Sequence, residues 1–539
     1  MSRRLRLRLP LVLAACAVAV SLQAQVTFER VLQNEKEPHN WLSYSGALDN
    51  QRYSRLTQIT PGNVKNLQLS WVWQNRSLEK FEATPLVVDG VMYTVQPPND
   101  IVALDAATGR PFWTFTHTPA AEARACCGRV NRGLAILGDT LYMGTLDARL
   151  VAVDAKSGQL IWNTQVAEAK AGYSITMSPN VVKDKVIIGT GGGDGPIRGY
   201  IAAFDAKTGK ELWRFYTIPG PGEPGNETWA GESWKTGGTG VWNAGAYDPE
   251  TNLIFFGTGN PAPDWDGRTR RGDNLYSDSV VALDVDTGTL KWHYQFTPHD
   301  ELDYDSTQVP VLANIDWQGT PRKVMLWANR NGVMYVLDRV TGEFLKGKPY
   351  VKVNWMDGFD AKGRPNRVKF PTTEGTFVQP HVHGATNWAP PSFSPRTGLF
   401  YVATWENSAS LMVEGQFPRA ARPNGRETAM GATTLVPFYN RDDEAYGVIR
   451  GYDVKTLDQK WEFKLGDITW GGVMSTATDL VFGGGRDGYF VALDGKSGAL
   501  LWKASVGGQI NAGAMSYGVN GKQYVSIAAG NSLFTYALP

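Results

Sequence analysis

Three cysteines in 539 residues are few, and none stands in a Cys-x-x-Cys-His sequence, which excludes a c-type haem carried by the chain itself. No apolar run beyond the first two dozen residues is long enough to cross a bilayer, so no membrane span is expected. Neither sign of charge dominates, with 53 basic against 52 acidic side chains, and no basic stripe points to a nucleic-acid partner.

The one long apolar run is at the start. Arg3, Arg4, Arg6 and Arg8 precede an apolar stretch from Leu9 to Val20 and then Ser21-Leu-Gln-Ala24, the order of a secretory signal peptide. Residues 1–24 are therefore read as a leader, residues 25–539 as one domain, and the location as periplasmic. Leu13-Ala-Ala-Cys16 resembles a lipoprotein box, but the apolar run continues past Cys16, so lipid anchoring ranks second. Without the leader's four arginines, 49 basic side chains face 52 acidic ones. The remaining cysteines, Cys126 and Cys127, are adjacent. Neighbouring Cα atoms lie ~3.8 Å apart, short of the roughly 4.4–6.8 Å usual for a disulfide. Two readings stand: a pair of buried thiols, or a strained ring accepted at a functional site in an oxidising compartment.

One pattern runs through the whole body, Ala-x-Asp-x-x-Thr/Ser-Gly-x-x-x-Trp. Copies carry Asp105, Gly109 and Trp113; Asp154, Gly158 and Trp162; Asp205, Gly209 and Trp213; Asp284, Gly288 and Trp292; Asp494, Gly498 and Trp502. Two are degraded: Lys346 replaces the tryptophan after Asp338, and Leu457 replaces the glycine before Trp461. Each copy reads as strand, tight turn and strand with a fixed aromatic handle. The aspartates are spaced by 49, 51, 79, 54, 115 and 41 residues, the period of propeller blades. The 115-residue gap is expected to hold two blades and the 79-residue gap one blade with an insertion; with Leu69-Ser-Trp71-Val-Trp73 starting the ring, seven to nine blades follow. The fold class is an all-β propeller, whose radial repetition leaves only short sheet edges.

Chemistry concentrates in Pro298-His-Asp-Glu-Leu-Asp-Tyr-Asp305, four carboxylates in six residues. On an extended segment Asp303 and Asp305 point the same way, and like charges that close need a metal or a shared proton. A solvated acidic loop is the plain alternative. Gly191-Gly-Gly-Asp-Gly195 is not a dinucleotide loop, because it runs on into a strand. His381 and His383 could be ligands two apart on a strand face, with a surface or hydrogen-bonded pair the preferred reading. Residues 415–443, rich in Arg, Pro and Gly, read as a long loop over the active face.

The tryptophan repeat, with Asn40-Trp-Leu-Ser-Tyr-Ser-Gly and Arg52-Tyr-Ser, resembles that of the quinoprotein alcohol dehydrogenases, which use pyrroloquinoline quinone (PQQ). The resemblance implies eight blades and covers essentially the mature chain. Cys126-Cys127 then matches the family's vicinal disulfide on one face of the quinone, and Trp242 the tryptophan on the other. Arg132, Thr176, Arg330 and Asn387 match positions that bond the cofactor's edge; Glu82, Gly192 and Trp470 fall on further contact positions. The family's single cation is held by a Glu, an Asn and an Asp, which fall here on Asp194, Asn260 and Asp303. Asp194 is one methylene shorter than the family's Glu. Asp305 matches a second aspartate found in lanthanide-dependent methanol dehydrogenases, so a lanthanide is favoured and calcium is the alternative.

The implied reaction is oxidation of a primary alcohol to an aldehyde, with the metal as Lewis acid, Asp303 as base and hydride passing to the quinone C5. A soluble cytochrome c is the implied electron acceptor, and a homodimer is carried as an expectation for the assembly. Leu302 replaces a tryptophan usual in methanol-oxidising relatives, which argues against strict methanol specificity. The alternatives are a sugar or polyol dehydrogenase, and a non-catalytic scaffold of the outer-membrane-assembly type.

Overall fold

The computed structural model describes residues 25–539 apart from Arg124, Cys126, 414–433 and 437–444. The leader and nearly all of the 415–443 loop lie outside the described residues. Eight antiparallel sheets follow one another, each with a four-stranded core; in blade 7 Tyr53–Ser54 adds a fifth strand, parallel to the inner strand Met474–Thr476. Blade 1 is Leu86–Val88, Val91–Gln96, Asp100–Asp105 and Pro111–Thr116. Blades 2 to 7 span 135–165, 180–216, 246–295, 311–349, 392–464 and 474–505. Blade 8 joins three C-terminal strands, from Met515 to Ala537, to Gln68–Gln74 as its outermost strand. Leu69 to Trp73 therefore closes the ring as the last strand of the last blade. Among the described residues the one α-helix is five residues long, Phe28–Leu32, and no helix is long and apolar enough to cross a membrane.

Burial falls off radially. Leu86–Val88 is wholly buried, whereas the outermost strand Pro111–Thr116 alternates exposed with half-buried residues. Inner strands are covered on both faces by neighbouring blades and so read as unbroken apolar runs.

The repeat's aspartate and tryptophan act across blade boundaries. The Asp105 carboxylate accepts the amides of Ala107 and Thr108 at 2.8 and 3.0 Å, closing the turn. Gly109 follows at φ +73°, and a Cβ there would come within 2.5 Å of the Trp71 ring. The tryptophan of one blade thus lies flat on the turn of the next. In four copies its indole N–H donates to the carbonyl after the next blade's aspartate: Trp71 to Ala106 at 3.3 Å, Trp162 to Ala206 at 3.2 Å, Trp213 to Val285 at 3.0 Å and Trp461 to Gly495 at 2.9 Å, whereas the Trp292 indole N–H is buried without a partner. Burying such a ring contributes roughly 1.5–3 kcal/mol.

The two degraded copies turn out to share one interface. Lys346, on the outer strand of blade 5, faces the blade 6 turn and donates to the Lys455 carbonyl at 3.5 Å. With no ring to receive, that turn carries Leu457, buried in the core at φ +59°.

The 115-residue gap departs from expectation. Asp338 belongs to blade 5 and Asp453 to blade 6, so the gap holds one blade step and not two. The surplus is insertion: a hairpin of Met356–Phe359 with Pro365–Arg367, and a small sheet of Thr376–Val378, Ser410–Val413 and Thr434–Val436. The 79-residue gap holds blade 4 with insertions, as read. Insertions fall between blades or between second and third strands of a blade, connections that an antiparallel meander puts on one face. That face carries the site.

Residues 41–54 strap the inner strands together. Trp41 bridges to Val87, and the carbonyls of Leu48, Asp49, Gln51, Arg52 and Ser54 accept amides of Tyr247, Leu312, Phe393, Ser475 and Ala477. Arg52, fully buried, adds Nε to the Ala514 carbonyl at 3.0 Å.

Candidate functional site

The acidic stretch is a turn here, not the extended segment expected. His299 and Asp303 take left-handed backbone at φ +48° and +59°. The turn is tied by buried Asp300, whose two oxygens accept the amides of Leu302 and Tyr304 at 2.9 and 2.8 Å. Glu301 accepts the Gly267 amide at 3.0 Å and pairs with Arg367 at 2.9 Å. These two acids hold the loop that presents the others. Leu302 points into the apolar cluster that includes Tyr304 and Trp355 and is 1% exposed, so the sequence reading of extra room beside Asp303 gains no support from its position.

Asp303 and Asp305 nevertheless converge. Arg330 donates Nη2–H to Asp303 Oδ2 at 3.0 Å and Nη1–H to Asp305 Oδ2 at 2.5 Å, and is itself fixed on the Val382 carbonyl at 2.7 and 2.9 Å. Asp305 Oδ1 accepts the Asn260 amide at 2.9 Å and the Trp242 indole N–H at 3.4 Å. The Asn260 side chain donates to Asp264 Oδ1 at 2.7 Å. Two carboxylate oxygens of this group, Asp303 Oδ1 and Asp264 Oδ2, are buried without a hydrogen-bond partner. Burial pushes both groups well above the usual carboxylate range; Arg330 opposes this at Asp303, and the charges of Asp305 and Asp194 add to it. At Asp264, the charges of Asp194, Asp303 and Asp305 follow burial as causes. Asp194 is half-buried on the glycine-rich turn.

A second group surrounds Arg132. It donates to Thr176 Oγ1 at 3.0 Å and the Trp242 carbonyl at 3.3 Å, and pairs with Glu82 at 3.0 Å. Its guanidinium lies 4.9 Å from the ring centres of both Trp242 and Trp388. Trp242 joins the halves, touching Arg132 through its carbonyl and Asp305 through its indole. Gly192 is at φ +106° with the Gly172 carbonyl so near that any Cβ would overlap it. Cys127 is disulfide-bonded, while Cys126 lies outside the described residues.

Asn387 donates to the His383 carbonyl at 3.0 Å and accepts the Trp388 amide at 2.9 Å. Trp470 packs edge-on to Trp405 at 4.5 Å and to His383 at 5.6 Å. His381 and His383 thus belong to no strand and no surface pair; they sit in an aromatic cluster where burial pushes them down to about 3 and about 4, so both are neutral near pH 7. Sequence reasoning missed Asp264 and Asp278, the latter fully buried with neither oxygen partnered.

A family profile described as the PQQ glucose/ethanol/alcohol dehydrogenase β-propeller domain matches residues 41–354 and 464–525. The chain belongs to the PQQ-dependent alcohol dehydrogenase family. It is 40% identical to quinohemoprotein alcohol dehydrogenase ADH-IIG of Pseudomonas putida, over 94% of this chain and 75% of that one. It is 35% identical to the lanthanide-dependent methanol dehydrogenase of Methylacidiphilum fumariolicum, over 93% and 86%. Among solved structures, ADHIIG from Pseudomonas putida HK5 matches with TM-score 0.90 at 36% identity, covering 96% of this chain and 82% of that one. A europium-containing methanol dehydrogenase matches with TM-score 0.87 at 32% identity, covering 95% and 100%. The protein is a PQQ-dependent alcohol dehydrogenase, and the scaffold alternative is set aside.

The dehydrogenase's residues fit the family's cofactor and cation. The unpartnered, buried carboxylate oxygen of Asp303 is a donor suited to a hard cation. Arg132 and Arg330 supply positive charge, and Trp242 a flat aromatic surface, for an anionic planar ligand.

Proposed function

We propose that the enzyme oxidises a primary alcohol to its aldehyde in the periplasm, with Asp303 as the base. The observation that carries this is the unpartnered Asp303 Oδ1 beside an Arg330 that already holds Oδ2. One oxygen is oriented and the other is left to accept the hydroxyl proton. When bound, PQQ supplies the hydride-accepting quinone carbonyl at C5 and its metal the Lewis acid. Arg132, braced by Thr176 and Glu82, and Arg330 would hold the cofactor's carboxylates and carbonyls. Asn387, Gly192 and Trp470 would complete its surroundings, with the Cys126–Cys127 ring on one face and Trp242 on the other. Asp194, Asn260, Asp303 and Asp305 would hold the metal. A lanthanide is favoured by Asp305 and by likeness to relatives named for lanthanide and europium; calcium is the alternative. Export rests on the basic-then-apolar leader, residues 1–24. A soluble cytochrome c is the proposed electron acceptor.

Asp303→Asn is expected to retain the quinone absorbance and lose turnover by two or more orders of magnitude; near-normal activity removes Asp303 from the mechanism. Reconstitution with lanthanum should give a more active enzyme than with calcium, and Asp305→Ala should narrow that gap. Equal turnover with both ions, unchanged by Asp305→Ala, overturns the lanthanide assignment.

A further inference from the structure

Asp264 has no role in the set above, yet its surroundings are those of a ligand. It is 0% exposed, on the loop four residues beyond Asn260. Its Oδ1 accepts the Asn260 side-chain N–H at 2.7 Å. An amide whose nitrogen is so engaged turns its oxygen away from Asp264, leaving that oxygen as a neutral donor. Oδ2 of Asp264 is buried with no partner.

Arg270 gives this carboxylate no hydrogen bond: its N–H groups go to the carbonyls of Pro263, Asp264 and Asp300 and to the Asn274 side chain. Asn260, which gives its side-chain N–H to Asp264 and its backbone amide to Asp305 Oδ1 at 2.9 Å, joins Asp264 to the same cluster. Asp305, by contrast, already has both oxygens bonded, to Asn260, Trp242 and Arg330. A buried anion among other anions, with a free oxygen, is stable only beside a cation or with a proton of its own.

The geometry points to Asp264 as a further protein ligand of the active-site cation: Oδ2 coordinates the ion while Oδ1 orients the Asn260 amide toward it. This rests on the reading of the site as a metal–quinone centre. The extra carboxylate offsets the shortening at Asp194 and adds negative charge to a set in which Arg330 is the bonded guanidinium, which suits a trivalent ion over a divalent one.

The test uses the PQQ-loaded enzyme titrated with Tb³⁺, followed by luminescence lifetimes in H₂O and D₂O and by competition with La³⁺ and Ca²⁺. Asp264→Asn keeps an acceptor for Asn260 but loses the charge. It is expected to bind La³⁺ at least tenfold more weakly, with a smaller loss for Ca²⁺, and to gain one inner-sphere water on Tb³⁺. Asp264→Glu should keep the wild-type water count. Wild-type La³⁺ affinity in Asp264→Asn, or an unchanged water count despite weaker binding, overturns the assignment. A wild-type enzyme that binds neither ion stoichiometrically, with no effect of Asp303→Ala, defeats the underlying metal-site reading instead.

Discussion

Asp49 lies on the strap across the inner strands, its Oδ1 accepting the Gln51 amide at 3.1 Å, and burial pushes its pKa up to about 6. No cation bonds it, so the neutral acid is the form the fold prefers. A raised folded pKa gives stability that is whole below the unfolded value near 4 and is lost as pH rises through about 6. Asp49→Asn keeps the acceptor and removes the titration. The variant is expected to match wild type at pH 4 and to exceed it above pH 6 by about 1–3 kcal/mol. Thermal unfolding from pH 4 to 8 checks this; a constant difference across that range sinks it. Asp49 contrasts with Asp300, equally acidic in sequence, whose oxygens both close a turn. Such assignments are not legible in a sequence, because they depend on which amide or cation the fold delivers. The motif matches put Asp303, Asp305 and Asn260 with the cation and Arg330 with the cofactor, and the structure links all four in one chain of hydrogen bonds, from Asn260 to Asp305 to Arg330 to Asp303. Asp264 escaped because its meaning lies in the Asn260 side chain it receives.

At the scale of the blade, the interface between blades 5 and 6 is the one place where the repeat is broken on both sides, Lys346 for tryptophan and Leu457 for glycine. If each loss compensates the other, then Leu457→Gly alone leaves a core void and should cost about 2–4 kcal/mol. Lys346→Trp alone should be destabilising too, because elsewhere a Cβ at this turn position would lie within ~3 Å of the docked ring. The double variant is expected to recover most of the loss, a coupling of the size found between residues in contact. Additive changes in unfolding midpoints would show that the two positions do not communicate. Seven turns and six of the tryptophans were readable because aspartate, glycine and tryptophan lie within nine residues of chain. The 115-residue gap was misread because its insertions carry no period, and length alone cannot tell a blade from a hairpin laid over the active face.

The ring as a whole is held by two devices that the repeat itself does not contain. One is Gln68–Gln74 pairing with Ser532–Ala537, which joins the two ends of the propeller in a single sheet. The other is the strap of residues 41–54, whose groups bond the inner strands or their approaches in blades 1, 4, 5, 6, 7 and 8. Arg52 is its centre: it donates to the Ala514 carbonyl at 3.0 Å, the Tyr44 carbonyl at 3.1 Å and Thr84 Oγ1 at 2.9 Å, with no carboxylate partner. Burial pushes its pKa down only to about 10, so it is a cation at neutral pH, further held over the rings of Trp41 and Tyr44 at 5.7 and 5.6 Å. Arg52→Met keeps the bulk and removes the donors, leaving three buried acceptors each costing roughly 1–3 kcal/mol. Because those acceptors belong to the first and last blades and to the strap, the damage should appear where the ring is joined. Hydrogen exchange is expected to quicken first in the inner strands of blades 1 and 8, with blade 3, which the strap does not bond, following only at global unfolding. Thr84 is two residues from Glu82, so retention of the quinone should weaken alongside. If exchange rises evenly around the eight blades, Arg52 merely fills space; if quinone retention is unchanged while blades 1 and 8 open, the strap does not couple ring closure to the site.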